Sequence, residues 1–429
     1  MSNKLTKSET IKLQIGGEAT ILDVLGEGGQ GIVYLAEYNG KKYALKWYSK
    51  VLKTDFYDNL KKNIENGAPT KNFLWPLYLT EKKGENFGYL MEVRPDCFAD
   101  LSKFLLAKVH FGSVSAMIRA ATNICYSFRT LHNLGYSYQD MNDGNFFIDP
   151  RTGDVLIGDN DNVAPHGVNL GIAGKCRYMA PEVVLGKAKP STETDRFSLA
   201  VVLFLILFNN HPLEGHRVTS TPCLTEDAER KFYGSHPVFI YDPKDNSNHP
   251  VRGIHANVIR RWSLYPQYIK EAFVKSFSQE ACREPNARII DKEWLKLLMR
   301  WRDDLTLCAC GNETFASPDE ETYTCIACGG NEKRPLLLNV NTHNIMLCAN
   351  KKLYQSSIKD DMDDYEKMVG QITENKKYKG VLGLKNLSAD TWVLTTKDGT
   401  QRSISPQDVA PLLLGNQINF GAATVGNIK

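Results

Sequence analysis

Tyr138-Gln139-Asp140-Met141-Asn142-Asp143-Gly144-Asn145 decides how this chain is read, together with Asp159-Asn160-Asp161 downstream. Between them lie two short apolar runs, FFI and VLIG, which read as a pair of strands. Asp140 and Asn145 form a D-x4-N spacing, and Asp159 closes the second strand. Taken singly, each of these aspartates is a cap or a solvated turn. Their order along the chain is what carries information.

Upstream of this stretch, Met117, Ala121, Ile124, Phe128 and Leu131 recur at steps of four, three, four and three, which is one helix face ending at Gly135. Earlier still, Gly26-x-Gly28-x-x-Gly31-x-Val33 lies between two β-rich runs, ATILDVL and IVYLAEY. Glycines there let a backbone approach phosphates and accept positive φ without a Cβ penalty. A dinucleotide-binding turn would be followed by a helix, but here a strand follows. Ala44-Leu45-Lys46 stands in the next strand, with Lys46 15 residues after Gly31, placed to reach the phosphates of a nucleotide under the loop. Residues 54–66 read as a helix with Phe56, Leu60 and Ile64 on one face, and FLWPLYL and FGYLMEV read as apolar strands. Downstream, Ala180-Pro181-Glu182 begins 21 residues after Asp159, residues 195–208 read as an apolar helix, and further helices are expected near 264–278 and 291–304.

Glycine loop, lysine, D-x4-N, strand-Asp and APE, in that order, resemble the eukaryotic-type protein kinase family over roughly residues 15–304. The resemblance implies an α+β, two-lobed protein kinase fold with a cleft, an N-lobe of about 15–93 and a C-lobe of about 94–304. It implies ATP and Mg as cofactors and a protein as substrate. Asp140 matches the aspartate that orients the acceptor hydroxyl and takes its proton. Asn145 and Asp159 match the two magnesium ligands, and Lys46 matches the lysine holding the α- and β-phosphates. Gly26, Gly28, Gly31, Val33 and Ala44 would line the nucleotide, with Met91 as gatekeeper and Glu92 and Val93 at the adenine. Glu182 and Arg288 resemble the structural pair that ties the activation segment to a late helix, and Asp195 resembles the anchor of the catalytic loop.

The chain departs from the family pattern at four places. Tyr138-Gln139 replaces His-Arg, and residues 159–182 hold no Ser or Thr and a single Tyr, Tyr178. Activity is therefore expected not to require activation-loop phosphorylation. Asn142 stands where Ser/Thr kinases carry a lysine, and Lys175 where they carry a threonine. Lys175 is read as a catalytic residue that restores positive charge near the γ-phosphate. Asp159-Asn160-Asp161 replaces DFG, leaving Asp161 either an added carboxylate near the metals or a solvated one. The acidic partner of Lys46 stays unassigned, because register against Leu60 puts Asn59 nearest the expected place. These departures admit two alternatives to an active kinase: a nucleotide-binding pseudokinase scaffold, or a kinase-fold nucleotidyl transferase.

After Asp304 the character changes. Cys308-x-Cys310-Gly311 and Cys325-x-x-Cys328-Gly329 are separated by 14 residues. Four thiolates in two close pairs suit a closed, structural Zn²⁺ site, and residues 305–332 look like a zinc ribbon. Residues 333–429 read as a small β-sandwich, with candidate strands at LLLNV, NIMLCAN, TWVLTT, QRSIS and QINFG; KDDMDDYEK (359–367) is taken as a solvated loop or helix. The run from Gly383 to Gly421 resembles forkhead-associated-type domains, although the Gly-Arg and Ser-x-x-His set of that family is missing, so a phosphopeptide site is not assigned. The layout also resembles bacterial kinases associated with tellurium resistance, whose members occur beside a metal-dependent phosphatase and a von Willebrand A-type protein.

Composition sets the outer limits. The 429 residues are 42% hydrophobic and 24% charged, with a net charge of +3 from 52 basic and 49 acidic residues. That is an ordinary globular balance and gives no argument for nucleic-acid binding. The longest apolar run, Leu199–Phe208, has ten residues, half of what a bilayer span needs, and the N-terminal residues lack a signal-peptide core. No membrane association and a cytoplasmic location are expected. Six of the ten cysteines lie outside the proposed zinc cluster and have no assigned role.

Overall fold

Two β-rich runs, IVYLAEY and KKYALKWY, meet at Asn39-Gly40, and the chain turns there with both residues at positive φ. The computed structural model describes residues 4–50, 52–170, 174–359, 362–363, 365–375, 377–378, 380–421 and 424–429. Residues 171–173 of the activation segment, and Asp360, Asp361 and Asp364 of the acidic stretch, lie outside the described residues. The chain divides into two compact units, Met1–Gly112 with Asn123–Ser263 and Lys270–Lys292, and Ser113–Thr122 with Leu264–Ile269 and Glu293–Lys429.

In the first unit, strands β1 (Thr10–Lys12), β2 (Glu18–Glu27), β3 (Gly31–Tyr38), β4 (Lys41–Tyr48), β5 (Tyr78–Leu79) and β6 (Gly88–Met91) form one antiparallel sheet in the order β1-β2-β3-β4-β6-β5. Ile21, Ile32, Tyr34, Leu45, Trp47 and Leu90 belong to the apolar cluster of this sheet. Helix α1 (Thr54–Asn66) buries Phe56, Asn59, Leu60 and Asn63 and stops at Gly67, whose φ is 76°. FLWPLYL is not a strand along its length. Only Tyr78–Leu79 pairs with β6, while Phe73 and Leu74 run beside Ile157 instead. The apolar character of this run reflects burial between elements, which a continuous run cannot distinguish from a strand.

The rest of this unit is mainly helical. From Leu199 to its end, helix Thr192–Phe208 is apolar around its circumference, and the burial of that part on all sides follows. Ser191 and Thr194 close it with a capping box, and Asn209 ends it in the left-handed conformation. The paired strands Phe146–Ile148 and Val155–Ile157 place Asp140 and Asn145 just before the first and Asp159 just after the second.

The second unit contains the end of helix Asp291–Asp304, two short hairpins and a two-sheet β region. The hairpins pair Leu305–Leu307 with Glu313–Phe315, and Thr322–Thr324 with Asn331–Lys333. One sheet has six strands, in the order His343–Met346, Leu337–Val340, Val425–Ile428, Gln417–Asn419, Trp392–Thr395, Gln401–Ile404. The other has four, Lys352–Tyr354, Met368–Glu374, Leu382–Asn386 and Val409–Pro411. Their inner faces meet in a core that includes Val340, Ile372, Leu384, Leu394 and Ile418, with Trp392 edge-on to Phe420.

Candidate active site

The site is assembled from three local pieces of the first unit. β4 supplies Lys46, which is 5% exposed, and ladder pairing sets Val33 opposite Lys46 and Ala44 opposite Met91. The loop before Phe146 supplies Asp140 and Asn145, and the turn after Ile157 supplies Asp159, at a left-handed φ of 49°. Lys46 Nζ lies 3.3 Å from Asp159 Oδ1 and 3.4 Å from Gln30 Oε1 in the glycine-rich segment.

The glycines act differently from the sequence argument. Among the described backbone, Gly26, Gly28 and Gly31 do not take positive φ. A Cβ at Gly26 or Gly28 would meet open space, whereas one at Gly31 would run into the Trp47 carbonyl oxygen. Gly31 is therefore needed for close strand packing, whereas Gly26 and Gly28 only leave their own two positions without a side chain.

Asp140 is braced from within its own loop. The Asn142 amide donates to Asp140 Oδ1 at 3.2 Å, and the Asn145 amide donates to the Asp140 carbonyl at 2.8 Å. Burial pushes the Asp140 carboxyl above the usual carboxylate range, the Asn142 amide opposes this, and the nearby Asp159 charge adds to it. Asp159 is likewise raised by burial, with Lys46 pulling it down and Asp161 pushing it up. Lys175 is exposed and lies 3.2 Å from Asp143 Oδ1, so its direct partner is Asp143 rather than Asp140. Glu92 is exposed, and its carboxylate pairs with Lys41 at 2.8 Å; Val93 is half-buried beside it.

Two substituted positions have clear local functions. Tyr138 is fully buried, and its hydroxyl donates to the Gly158 carbonyl just before Asp159. Gln139, at a φ of 71°, donates from its amide to the Val168 carbonyl of the activation segment. Asp195 accepts from the Tyr138 backbone N–H at 2.6 Å, and its carboxylate also faces His132, which Asp291 holds from the other side at 3.0 Å. Glu182 and Arg288 meet in a two-pronged pair at 2.8 and 2.7 Å.

The solvated alternative for Asp161 does not hold. Its side chain is fully buried and lies 2.8 Å from Lys46 Nζ. The carboxylates of α1 are not candidates for that place, since Asp55, Asp58 and Glu65 are all exposed. This contact was hidden in the sequence because Asp161 is remote from Lys46 along the chain and the partner of the lysine was expected on helix α1. The tyrosine two residues after Lys46, on the same face of β4, was the available signal of a polar pocket there.

In the second unit, the four cysteine sulfurs all lie within 4.8 Å of one another, with Cys308–Cys328 and Cys310–Cys325 each at 3.8 Å. A tetrahedron of sulfurs at about 2.3 Å from Zn²⁺ has edges of about 3.8 Å, so the donor set fits the ion. Backbone N–H groups of Cys310, Ala327 and Gly330 point at the sulfurs of Cys308, Cys325 and Cys328, and Gly311 and Gly329 turn the chain at positive φ.

A model of the protein kinase domain matches residues 19–252, and the chain belongs to that family. It is 22% identical over 375 residues to the carbon catabolite-derepressing protein kinase of Candida glabrata, covering 80% of this chain and 56% of that protein. It is 25% identical over 254 residues to the serine/threonine-protein kinase PknD of Protochlamydia amoebophila, covering 49% and 25% respectively. Ribosomal protein S6 kinase alpha-4 of Mus musculus is 24% identical over 216 residues, 46% of this chain and 27% of that one. The chain thus spans between about a quarter and about half of the length of these curated relatives.

Proposed function

We propose that the chain is an active protein kinase that transfers the γ-phosphoryl group of ATP to a serine or threonine hydroxyl of a protein. The observation that carries this reading is the convergence of Lys46, Asp140, Asn145 and Asp159 from three segments, with Asp140 made more basic by burial while the Asn142 amide favours its ionised form. Asn145 and Asp159 offer oxygen donors for Mg²⁺, which when bound neutralises phosphate charge. Lys46 holds the α- and β-phosphates, and the glycine-rich segment lets backbone approach them. Asp140 orients the acceptor hydroxyl and receives its proton as the new oxygen–phosphorus bond forms and ADP departs. Lys175 adds positive charge at the outer edge of the site.

The activation segment needs no phosphate in this reading. Gln139 holds Val168 by a neutral hydrogen bond where the family's arginine would read a phosphate. Residues 305–332 form a structural zinc ribbon and residues 333–429 a forkhead-associated-like sandwich. Support comes from the fit of the four sulfurs to a tetrahedron and from the two stacked antiparallel sheets. The tellurium-resistance subgroup, its phosphatase and von Willebrand A-type partners, and a cytoplasmic location rest on resemblance alone. Among the described residues no helix is long and apolar enough to cross a membrane.

Incubation with ATP labelled at either the γ- or the α-phosphate tests the reaction. Protein-bound γ label, lost in Asp140→Ala and Asp159→Ala, is the expected result. Transfer of the α label would instead indicate nucleotidyl transfer, and binding without either transfer a pseudokinase.

A further inference from the structure

We propose that Asp161 is the positioning residue that holds Lys46 toward the nucleotide phosphates, a task no carboxylate of α1 performs in this chain. The inference rests on the kinase reading of the same site.

Four observations carry it. First, both oxygens of Asp161 reach Lys46 Nζ, at 3.0 Å for Oδ1 and 2.8 Å for Oδ2, and the carboxylate is fully buried. A buried carboxylate is costly unless paired and hydrogen-bonded, and here both conditions are met. Second, the Tyr48 hydroxyl donates to Asp161 as well. Tyr48 follows Lys46 by two residues on β4, so one strand face grips the carboxylate twice. Third, the positions of α1 that face inward are closed to an acid. The amides of Asn59 and Asn63 both donate to the Val163 carbonyl, at 2.7 and 2.8 Å. A carboxylate at either place would set oxygen against oxygen. Fourth, Asp159 is farther from Lys46, at 3.3 Å, and its side chain is 44% exposed, which leaves it open toward a metal.

The labour is thus split within one short turn: Asp159 faces the metal position and Asp161 faces the lysine. Val163, two residues on, is the carbonyl that anchors α1. The lysine, the candidate metal ligand and the helix are therefore tied to the same segment. Lys46 keeps its anchor without a charged contact from α1, so charge changes on that helix should not control activity.

The test uses the full chain with three readouts: kcat and KM for ATP, the dissociation constant of a fluorescent ATP analogue, and the Mg²⁺ concentration for half-maximal rate. Asp161→Asn preserves shape and removes the charge. It should lower kcat/KM for ATP by about 10- to 100-fold, the loss of a charged hydrogen bond. Tyr48→Phe, which should fold even where the first variant does not, should cause a loss of a few-fold. In a Lys46→Ala background, neither change should weaken analogue binding further, because Asp161 acts through Lys46. Asp58→Ala/Glu65→Ala should match the wild type. The proposal is overturned by Asp161→Asn kinetics within twofold of wild type, or by additive losses with Lys46→Ala. A selective rise in the Mg²⁺ requirement would also overturn it, making Asp161 a metal ligand. Analogue binding judges the proposal even in a chain without turnover, and γ-phosphoryl transfer by the wild type judges the kinase reading separately.

Discussion

His132 sits between two carboxylates, Asp195 at 3.2 Å and Asp291 at 3.0 Å, with its side chain almost wholly buried. Burial alone would lower its pKa, but Asp291 and then Asp195 outweigh burial and raise it to about 9, against 6.5 ordinarily. The folded value exceeds the unfolded one, so the stabilisation is fully present below about pH 6.5 and is lost as pH rises through about 9. Urea midpoints measured at pH 6, 8 and 10 should fall across this window, and His132→Gln should flatten the fall. Because Asp195 also accepts from the Tyr138 backbone N–H, this pair steadies the segment leading into Asp140. At Gly31, alanine should destabilise the sheet against the Trp47 carbonyl, while Gly28→Ala should leave the thermal midpoint nearly unchanged. The role of Gly31 was legible as a glycine but not as a packing glycine, since only the paired strand reveals what a Cβ would strike.

Among the elements, periodic segments were the most legible. In helix Val114–Asn133, Met117, Ala121, Ile124, Phe128 and Leu131 are all buried as their spacing implied. Strands Lys352–Tyr354, Met368–Glu374, Leu382–Asn386, Val409–Pro411 and Val425–Ile428 went unread, as did Thr10–Lys12. Four of these six are only three or four residues long, too short for a period to register until a neighbouring strand supplies the pairing. Lys351 was equally hidden. Its buried ammonium donates to the carbonyls of Asp303 and Leu305, satisfying the end of helix Asp291–Asp304. Lys351→Met should orphan those carbonyls and cost about 1–3 kcal/mol, read by chemical denaturation. For the two hairpins carrying the cysteines, metal analysis should find one zinc per chain. Chelation should expose residues 305–333 to amide hydrogen exchange. Metal content well below one would remove the ribbon.

At the scale of the whole molecule, family membership was legible because ordered motifs survive where individual positions have changed. Tyr138, Gln139, Asn142 and Asn160 all depart from the family pattern, yet each is buried and hydrogen-bonded to the loop or segment it serves. What could not be read was which acid meets Lys46, because that contact joins residues 115 positions apart. The absence of Ser and Thr from residues 159–182, together with the Gln139 contact, predicts that phosphatase-treated protein keeps its full rate. A collapse of activity after treatment would contradict that. The central claim is phosphoryl transfer by this assembled site. Its most direct test is mass-spectrometric phosphosite mapping after incubation of purified protein and candidate substrates with ATP and Mg²⁺, with Asp159→Ala as control. Phosphoserine or phosphothreonine that appears only with the wild-type chain is the predicted result. Equal modification with the Asp159 variant, or no phosphorylation under conditions where ATP binds, would contradict the account.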